Sequence, residues 1–145
     1  MDRTDGWIGI DTGDFGQKYI RDVQKGMPFN DSVVSEIKCE NTLEHIEDLL
    51  FVLNEFWRVL KPDGVLYMNV PDRRNDAAYK DPTHVRFFSL ATFEYFQRKS
   101  PRHSEYGYYP WEILELNSDG KSIIARMKPK HKDNFDKFQR GEFKV

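Results

Sequence analysis

One stretch of the sequence decides the fold: Glu55-Phe56-Trp57-Arg58-Val59-Leu60-Lys61-Pro62-Asp63-Gly64, continued by the apolar run at 65–70. Over residues 43–60 the apolar side chains recur at three- and four-residue spacing, which is typical of an amphipathic helix. Asn41 or Thr42 can cap its start. The proline and glycine of the quoted stretch end the helix, because proline cannot continue it and glycine suits the turn that follows. The apolar run then predicts a strand.

Strands on the N-terminal side complete the pattern. Residues 33–39 predict a strand that forms, with the helix and the strand at 65–70, a strand–helix–strand unit with a right-handed crossover. Further upstream, residues 7–10 predict a buried strand that ends at Asp11, and residues 19–23 predict a shorter one. The first half of the chain therefore predicts parallel strands.

The second half predicts a different strand arrangement. Residues 73–84 are polar and predict a long loop, and residues 89–96 predict a short helix. Two strands at 111–116 and 122–127 flank a turn at 117–120, which predicts an antiparallel hairpin. Parallel strands with a helix, followed by a hairpin, are typical of an α/β three-layer fold.

Composition narrows the class of protein. The 145 residues fit one domain, which we expect over 1–128, with a charged tail at 129–145. The net charge of −2 gives no case for a nucleic-acid partner.

We expect no membrane partner, since no apolar run approaches the roughly 20 residues that span a bilayer. The N-terminus has no signal-peptide pattern, so we expect a cytoplasmic protein. The single cysteine, Cys39, excludes an intrachain disulfide.

Several blocks of the sequence resemble the class I S-adenosylmethionine (SAM)-dependent methyltransferases of the type 11-like kind. The blocks, which lie between residues 6 and 96, are Gly6-Trp7-Ile8-Gly9-Ile10-Asp11, Arg21-Asp22-Val23, Gly26-Met27-Pro28-Phe29, Leu43-Glu44-His45, Glu55 to Gly64, Asp81-Pro82-Thr83-His84, Phe87-Phe88 and Phe93-Glu94-Tyr95-Phe96. The most specific is the block E-x-W-R-V-L-K-P-x-G. The resemblance implies a three-layer Rossmann-like methyltransferase sheet with a C-terminal antiparallel hairpin, and SAM as cofactor.

The same resemblance implies roles for five residues at strand ends, where ligands of open α/β folds bind. Asp11 would accept hydrogen bonds from both ribose hydroxyls of the cofactor. Asp22 and the backbone of Val23 would contact the adenine. Glu40 and Asn41 would border the methionine portion and the reacting methyl. The alternatives are a solvated carboxylate for Asp11 and turn capping for Asp22.

The family's first strand and its glycine-rich turn have no counterpart in the chain, so we expect an N-terminally truncated form of the fold. Residues 11–16 could be a degenerate version of that turn, but the next blocks follow too soon after them. A start codon further upstream is another explanation, and loss of SAM binding is a third. An unpaired central strand invites pairing with another copy of the chain, so we expect a homo-oligomer.

A further set of side chains is a candidate for catalysis or metal binding. Asn41, Glu44 and His45 follow i, i+3, i+4 spacing and could share a helix face, and His84 lies in the later loop. The alternative is structural, with His45 packed at the helix start and Glu44 stabilised by the helix dipole. We expect the structural role and no metal. We also predict His45 as a general base, because the ordinary pKa of histidine lies near neutrality.

Together these features predict a methyltransferase-like domain that transfers a methyl from SAM to a small-molecule or glycan-type acceptor. Such transfer depends mainly on holding the acceptor in line with the methyl, so binding residues are easier to predict than catalytic ones. The alternative is a non-catalytic remnant of the fold that acts as a structural or oligomerising domain.

Overall fold

The structure, a computed structural model, describes residues 6–13, 19–97 and 108–130. Its strands are β1 (Ile10–Asp11), β2 (Tyr19–Ile20), β3 (Val34–Glu40), β4 (Leu60–Pro71), β5 (Trp111–Ser118) and β6 (Ser122–Pro129). Its helices are α1 (Leu49–Val59), α2 (Ala77–Lys80) and α3 (Leu90–Gln97), with single 3-10 turns at Val23–Lys25 and Leu43–His45. Most of the predicted tail at 129–145 lies outside the described residues.

The strands form two sheets. β1 pairs with β2 in parallel, and a four-stranded sheet has the order β3-β4-β6-β5. Within it β3 and β4 are parallel, whereas β6 runs antiparallel to both β4 and β5. The predicted strand–helix–strand unit and the predicted C-terminal hairpin are both present.

The helix predicted over residues 43–60 begins later than the apolar spacing indicated. Leu43–His45 forms a separate 3-10 turn, and α1 begins at Leu49. Its cap is Asp48, whose side chain accepts a hydrogen bond from the Phe51 amide at 3.1 Å. The predicted caps were wrong, because a separate 3-10 turn lies between them and the start of the helix.

The predicted turn after α1 is built into β4. Pairing between β3 and β4 shifts register between Val34 and Glu36, where residues 61–64 bulge out of the ladder. A Cβ at Gly64 would lie 3.0 Å from the Lys61 carbonyl oxygen and 3.1 Å from that of Val34. Glycine is required there because two backbone segments approach too closely for a side chain.

The segment predicted as a long loop at 73–84 contains α2. The start of this segment bonds Asp72, whose carboxylate is buried. Asp72 accepts hydrogen bonds from the Arg74 backbone and guanidinium and from the Ser118 hydroxyl. These bonds lower the pKa of Asp72, with the Arg74 side chain as the largest cause. The loop is therefore fixed to the β5–β6 hairpin.

The core lies between one face of the four-stranded sheet and the helices α1 and α3. In β4 and β6, alternate residues are buried and the others stay half-exposed or exposed. The largest fully buried side chains include Trp57, Trp111, Phe88 and Phe93. Among the residues described, no helix combines the length and hydrophobicity needed to cross a membrane.

Candidate functional site

The carboxyl ends of β1 and β2 lie side by side, because these strands are parallel. Asp11 is the last residue of β1, and its carbonyl oxygen accepts a hydrogen bond from the Arg21 amide at 2.8 Å. Asp22 follows directly along the chain. Pairing of the two strands thus brings the predicted cofactor residues Asp11 and Asp22 to one edge, where open α/β folds bind ligands.

The Asp11 side chain is exposed at this edge and shapes the turn after β1. Its Oδ1 accepts hydrogen bonds from the Gly13 amide at 3.2 Å and from the Thr12 hydroxyl at 3.5 Å. Each carboxylate oxygen has two lone pairs and can accept more than one hydrogen bond.

Asp22 has a structural contact of its own. Its side chain caps the 3-10 turn that starts at Val23 and accepts the Gln24 amide at 2.9 Å. Turn capping, one of the two roles considered from the sequence, is therefore present. This bond uses Oδ1 only, and the adenine role of Asp22 and Val23 stays a prediction.

A cleft of about 620 Å³ opens beside these residues. The lining residues within the described ranges are Thr12, Arg21, Asp22 and Lys25. The Arg21 side chain is held along the cleft by the carbonyl oxygens of Gly26 at 2.8 Å and Lys25 at 3.1 Å. Arg21 and Lys25 received no functional role from the sequence, because basic side chains are most often solvated.

A second cleft of about 590 Å³ separates the β1 segment from β3. One wall carries apolar side chains, among them Trp7, Ile10, Val23 and Met27, and the other is β3 itself. Lys38 reaches across, with its ammonium 5.4 Å from the centroid of the Trp7 ring. Both clefts fall within the volume range of about 300 to 1,000 Å³ that is usual for small-molecule sites.

Glu40 and Asn41 lie at the carboxyl end of β3. Asn41 adopts φ 48°, a left-handed conformation that asparagine tolerates better than most residues, and its amide donates to the Asn69 carbonyl at 2.9 Å. Their neighbours Cys39 and Thr42 line the second cleft. Glu40 and Asn41 thus lie in the chain between two residues that line this cleft.

An ion pair on α1 holds the loop between the two clefts. Glu55 and Arg58 bond each other, and Glu55 Oε2 also accepts the Met27 amide at 2.7 Å. Arg58 donates to the carbonyl oxygen of Phe29 at 2.9 Å and to Asp31 at 2.8 Å. The hydrogen bonds from Arg58 hold the pKa of Glu55 below its ordinary value.

A cluster of Glu44, His45 and His84 lies between the turn after β3 and the loop after β4. One ligand atom from each residue lies within 4.8 Å of the other two. Glu44 is only 2% exposed, and its main-chain oxygen accepts the Val85 amide at 2.8 Å. His45 is exposed, and its ring centroid is 4.8 Å from that of His84. The sequence had grouped Glu44 and His45 with Asn41 by their spacing and had added His84 from its place in the later loop. Glu44 and His45 lie in a 3-10 turn and not on the helix face that the spacing assumed.

Comparisons with known proteins support this fold. Residues 13–68 match the model of a methyltransferase domain family. The PH0226 protein from Pyrococcus horikoshii OT3 is similar over 85% of this chain and 73% of its own, with 14% identity and a TM-score of 0.62. A methyltransferase described as putative, from Bacillus halodurans C-125, is similar over 79% of this chain and 73% of its own, with 17% identity and a TM-score of 0.57. A SAM-dependent methyltransferase from Aquifex aeolicus gives 17% identity and a TM-score of 0.53 over 74% of this chain.

The chain has the α/β fold of the class I SAM-dependent methyltransferases, and the resemblance predicted from its sequence is confirmed. The Aquifex protein is described as SAM-dependent. The chain spans 52% of the Aquifex protein's length. No curated protein matches the sequence.

Proposed function

We propose that the chain binds SAM along the carboxyl ends of β1, β2 and β3 and transfers its methyl group to a small-molecule or glycan-type acceptor. The observation that carries the proposal is the position of Asp11. Its exposed carboxylate ends β1, at the carboxyl edge of the parallel β1–β2 pair and beside a cleft of about 620 Å³. A carboxylate there can accept both hydroxyls of a ribose.

The two clefts differ in polarity in the way that the cofactor requires. The first is polar, with Arg21, Asp22 and Lys25 around it, and it suits the hydroxyl and ring-edge groups of a nucleoside. The second is largely apolar on one wall and ends near Glu40 and Asn41, which would border the methionine portion. In this arrangement the backbone of Val23 serves the adenine.

When bound, SAM supplies an electrophilic methyl group on a sulfonium. The residues of the chain then have to orient the acceptor, since positioning dominates this kind of transfer. We propose that His45, exposed near the carboxyl end of β3, acts on the acceptor. His45→Ala is expected to abolish methyl transfer while SAM affinity stays within twofold of the parent chain. Full activity in this variant would show that His45 has no role in methyl transfer.

Calorimetric titration with SAM, and with its demethylated product S-adenosylhomocysteine, tests the cofactor site directly. Asp11→Ala is expected to weaken binding at least tenfold, because two charge-assisted hydrogen bonds are lost. Asp63→Ala is the matched control, since Asp63 is an exposed carboxylate in the bulge of β4. Equal affinity in the two variants, or no binding by the parent chain at millimolar ligand, would contradict the proposal.

The second candidate function is a structural domain that assembles with itself, and an unpaired strand edge favours it. Within the described residues β3 pairs with β4 on one side only, and its other edge faces the 590 Å³ cleft. An open edge of this kind can template pairing with another strand. Sedimentation velocity should then show a dimer or higher oligomer at micromolar concentration, whereas a monomer throughout would count against self-assembly.

A further inference from the structure

We propose that Tyr79 and Phe87 form a stacking platform for a sugar ring of the acceptor. This inference rests on the proposed function, and it selects the glycan-type acceptor from the two classes named there. Sugar binding by the platform can be measured without SAM, so the two proposals can fail separately.

The two aromatic rings of the platform are stacked on each other at the protein surface. Their centroids lie 4.5 Å apart, and their planes are inclined by 19°. Tyr79 is nevertheless 55% exposed and Phe87 47% exposed. Each ring covers one face of the other, so the exposed surface lies on the outside of the pair.

The apolar surface extends to Val85, two residues before Phe87 in the chain. Val85 is exposed, whereas Arg86 donates to the Ile46 carbonyl oxygen at 2.7 Å and Phe88 is buried. Side chains therefore alternate between outside and inside along this segment, as they do in a strand. Neighbouring exposed apolar side chains, in contrast to single ones, are typical of binding sites.

A hydrogen bond joins the two segments that carry the rings. His84 Nδ1 lies 2.8 Å from the carbonyl oxygen of Ala78, which directly precedes Tyr79 in the chain. His84 itself lies three residues before Phe87. The platform is thus held in place before a ligand arrives, which lowers the entropy cost of binding.

The segment that carries Phe87 contacts the turn after β3, near the proposed position of the reacting methyl group. The Val85 amide donates to the Glu44 carbonyl oxygen at 2.8 Å. The ring centroid of His84 lies 4.8 Å from that of His45, the residue that we propose to act on the acceptor. The platform is therefore continuous with the proposed acceptor site.

Polar groups that suit hydroxyls flank the platform on α2. Asp76 immediately precedes this single helical turn, and Lys80 ends it; both side chains are exposed. Asp76 lies three residues before Tyr79, so the two are neighbours on the helix surface. Its carboxylate makes no capping hydrogen bond. A carboxylate accepts from hydroxyl groups, and an ammonium donates to them.

A sugar ring matches both parts of this surface. One face of a pyranose presents C–H groups of slight positive charge, and the face of an aromatic ring is negative. The hydroxyls of the sugar lie around its rim, where Asp76 and Lys80 can bond them. A purely aromatic ligand would stack on the rings but leave the two charged groups without a partner.

Titration of the ¹⁵N-labelled full chain, without SAM, tests the platform. The probes are the methyl β-glycosides of glucose, galactose, mannose and N-acetylglucosamine. We expect saturable shifts of the Tyr79, Lys80 and Phe87 amide resonances with at least one glycoside, in the millimolar range. Phenol, an aromatic probe without a polar rim, should bind more weakly than that glycoside.

Phe87→Leu and Tyr79→Leu keep an apolar side chain but remove a ring face. Each should weaken binding of the glycoside by about threefold or more. Tyr95→Leu is the matched control, because Tyr95 is also an exposed tyrosine but lies on α3 and contacts Phe96 and Tyr108. All three variants should melt at the parent temperature, since the replaced rings are exposed.

Three results would each overturn the platform: no saturable binding of any of the glycosides, equal affinity in Phe87→Leu and Tyr95→Leu, or tighter binding of phenol than of every glycoside. Sugar binding by a chain that does not bind SAM would support the platform and contradict the proposed methyl transfer. SAM binding without sugar binding would overturn the platform alone.

Discussion

Arg58 and Glu55 form a two-point ion pair on α1, with Arg58 Nε 2.8 Å from Glu55 Oε1 and Nη2 2.9 Å from Oε2. The pair also bonds the backbone of Met27 and Phe29, so it fixes the loop that separates the two clefts. Because this loop forms part of the wall of the proposed cofactor site, the ion pair on α1 fixes the position of that wall.

Arg58→Lys is expected to lower the free energy of unfolding by about 2 kcal/mol, because an ammonium cannot replace the planar, two-point grip of a guanidinium. Urea unfolding of the variant and the parent chain measures the difference. A change below about 0.5 kcal/mol, the size usual for a surface substitution, would show that the pair does not hold the loop.

Stability should also depend on pH through Glu55. Its pKa in the folded chain lies below the ordinary value, chiefly because Arg58 bonds the charged form. The stabilisation that charged Glu55 gives the folded chain is fully present above the pKa of Glu55 in the unfolded chain. It disappears as the pH falls through the lower pKa of Glu55 in the folded chain. Urea unfolding between neutral pH and the acid range should show this loss of stability. In Glu55→Gln the free energy of unfolding should fall less steeply as the pH is lowered. An unchanged slope in Glu55→Gln would contradict the assignment.

Gly64→Ala should destabilise the chain by about 1 to 3 kcal/mol, because the new methyl would force backbone atoms apart. The contacts it would meet include Leu60 Cδ2 at 2.9 Å. Gly120→Ala is the comparison, since Gly120 has φ 86° but open space around it; there only the conformational cost of about 1 kcal/mol is expected. Gly64→Ala should therefore have the lower melting temperature of the two variants. A lower melting temperature for Gly120→Ala would contradict the close backbone contacts at the bulge in β4.

Cys39 is expected to be unreactive in the folded chain. Burial raises the pKa of its thiol to about 12, and the residue is 5% exposed. Since the thiolate is the reactive form, a disulfide-exchange reagent at pH 8 should label Cys39 only after denaturant is added. Rapid labelling of the native protein would show that the end of β3 opens.

The sequence predicted elements where one periodicity runs without interruption. The apolar spacing of α1 gave the right element because one face of that helix is buried, and the turn at 117–120 gave the hairpin of β5 and β6. The start of α1 was wrong, since the period continues through the 3-10 turn at Leu43–His45 and does not show that Asp48 is the cap. The four-residue α2 was missed because it has no apolar face long enough to show a period.

The candidate site was predictable only in part. Strand ends are visible in a sequence, so Asp11 and Glu40 could be placed at sheet edges before any coordinates. The contact of His45 with Thr83 depends on loop geometry, which local spacing does not contain. The orphaned oxygen of Glu44 depends on burial by the segment after β4, which is distant in the chain.

Binding of SAM at the carboxyl ends of β1, β2 and β3 can be measured by titrating ¹⁵N-labelled protein with S-adenosylhomocysteine and following the amide resonances. We expect saturable shifts at Thr12, Val23 and Asn41 that disappear in Asp11→Ala and persist in Asp63→Ala. Amide resonances that stay unchanged at millimolar ligand, or shifts confined to the hairpin of β5 and β6, would contradict it.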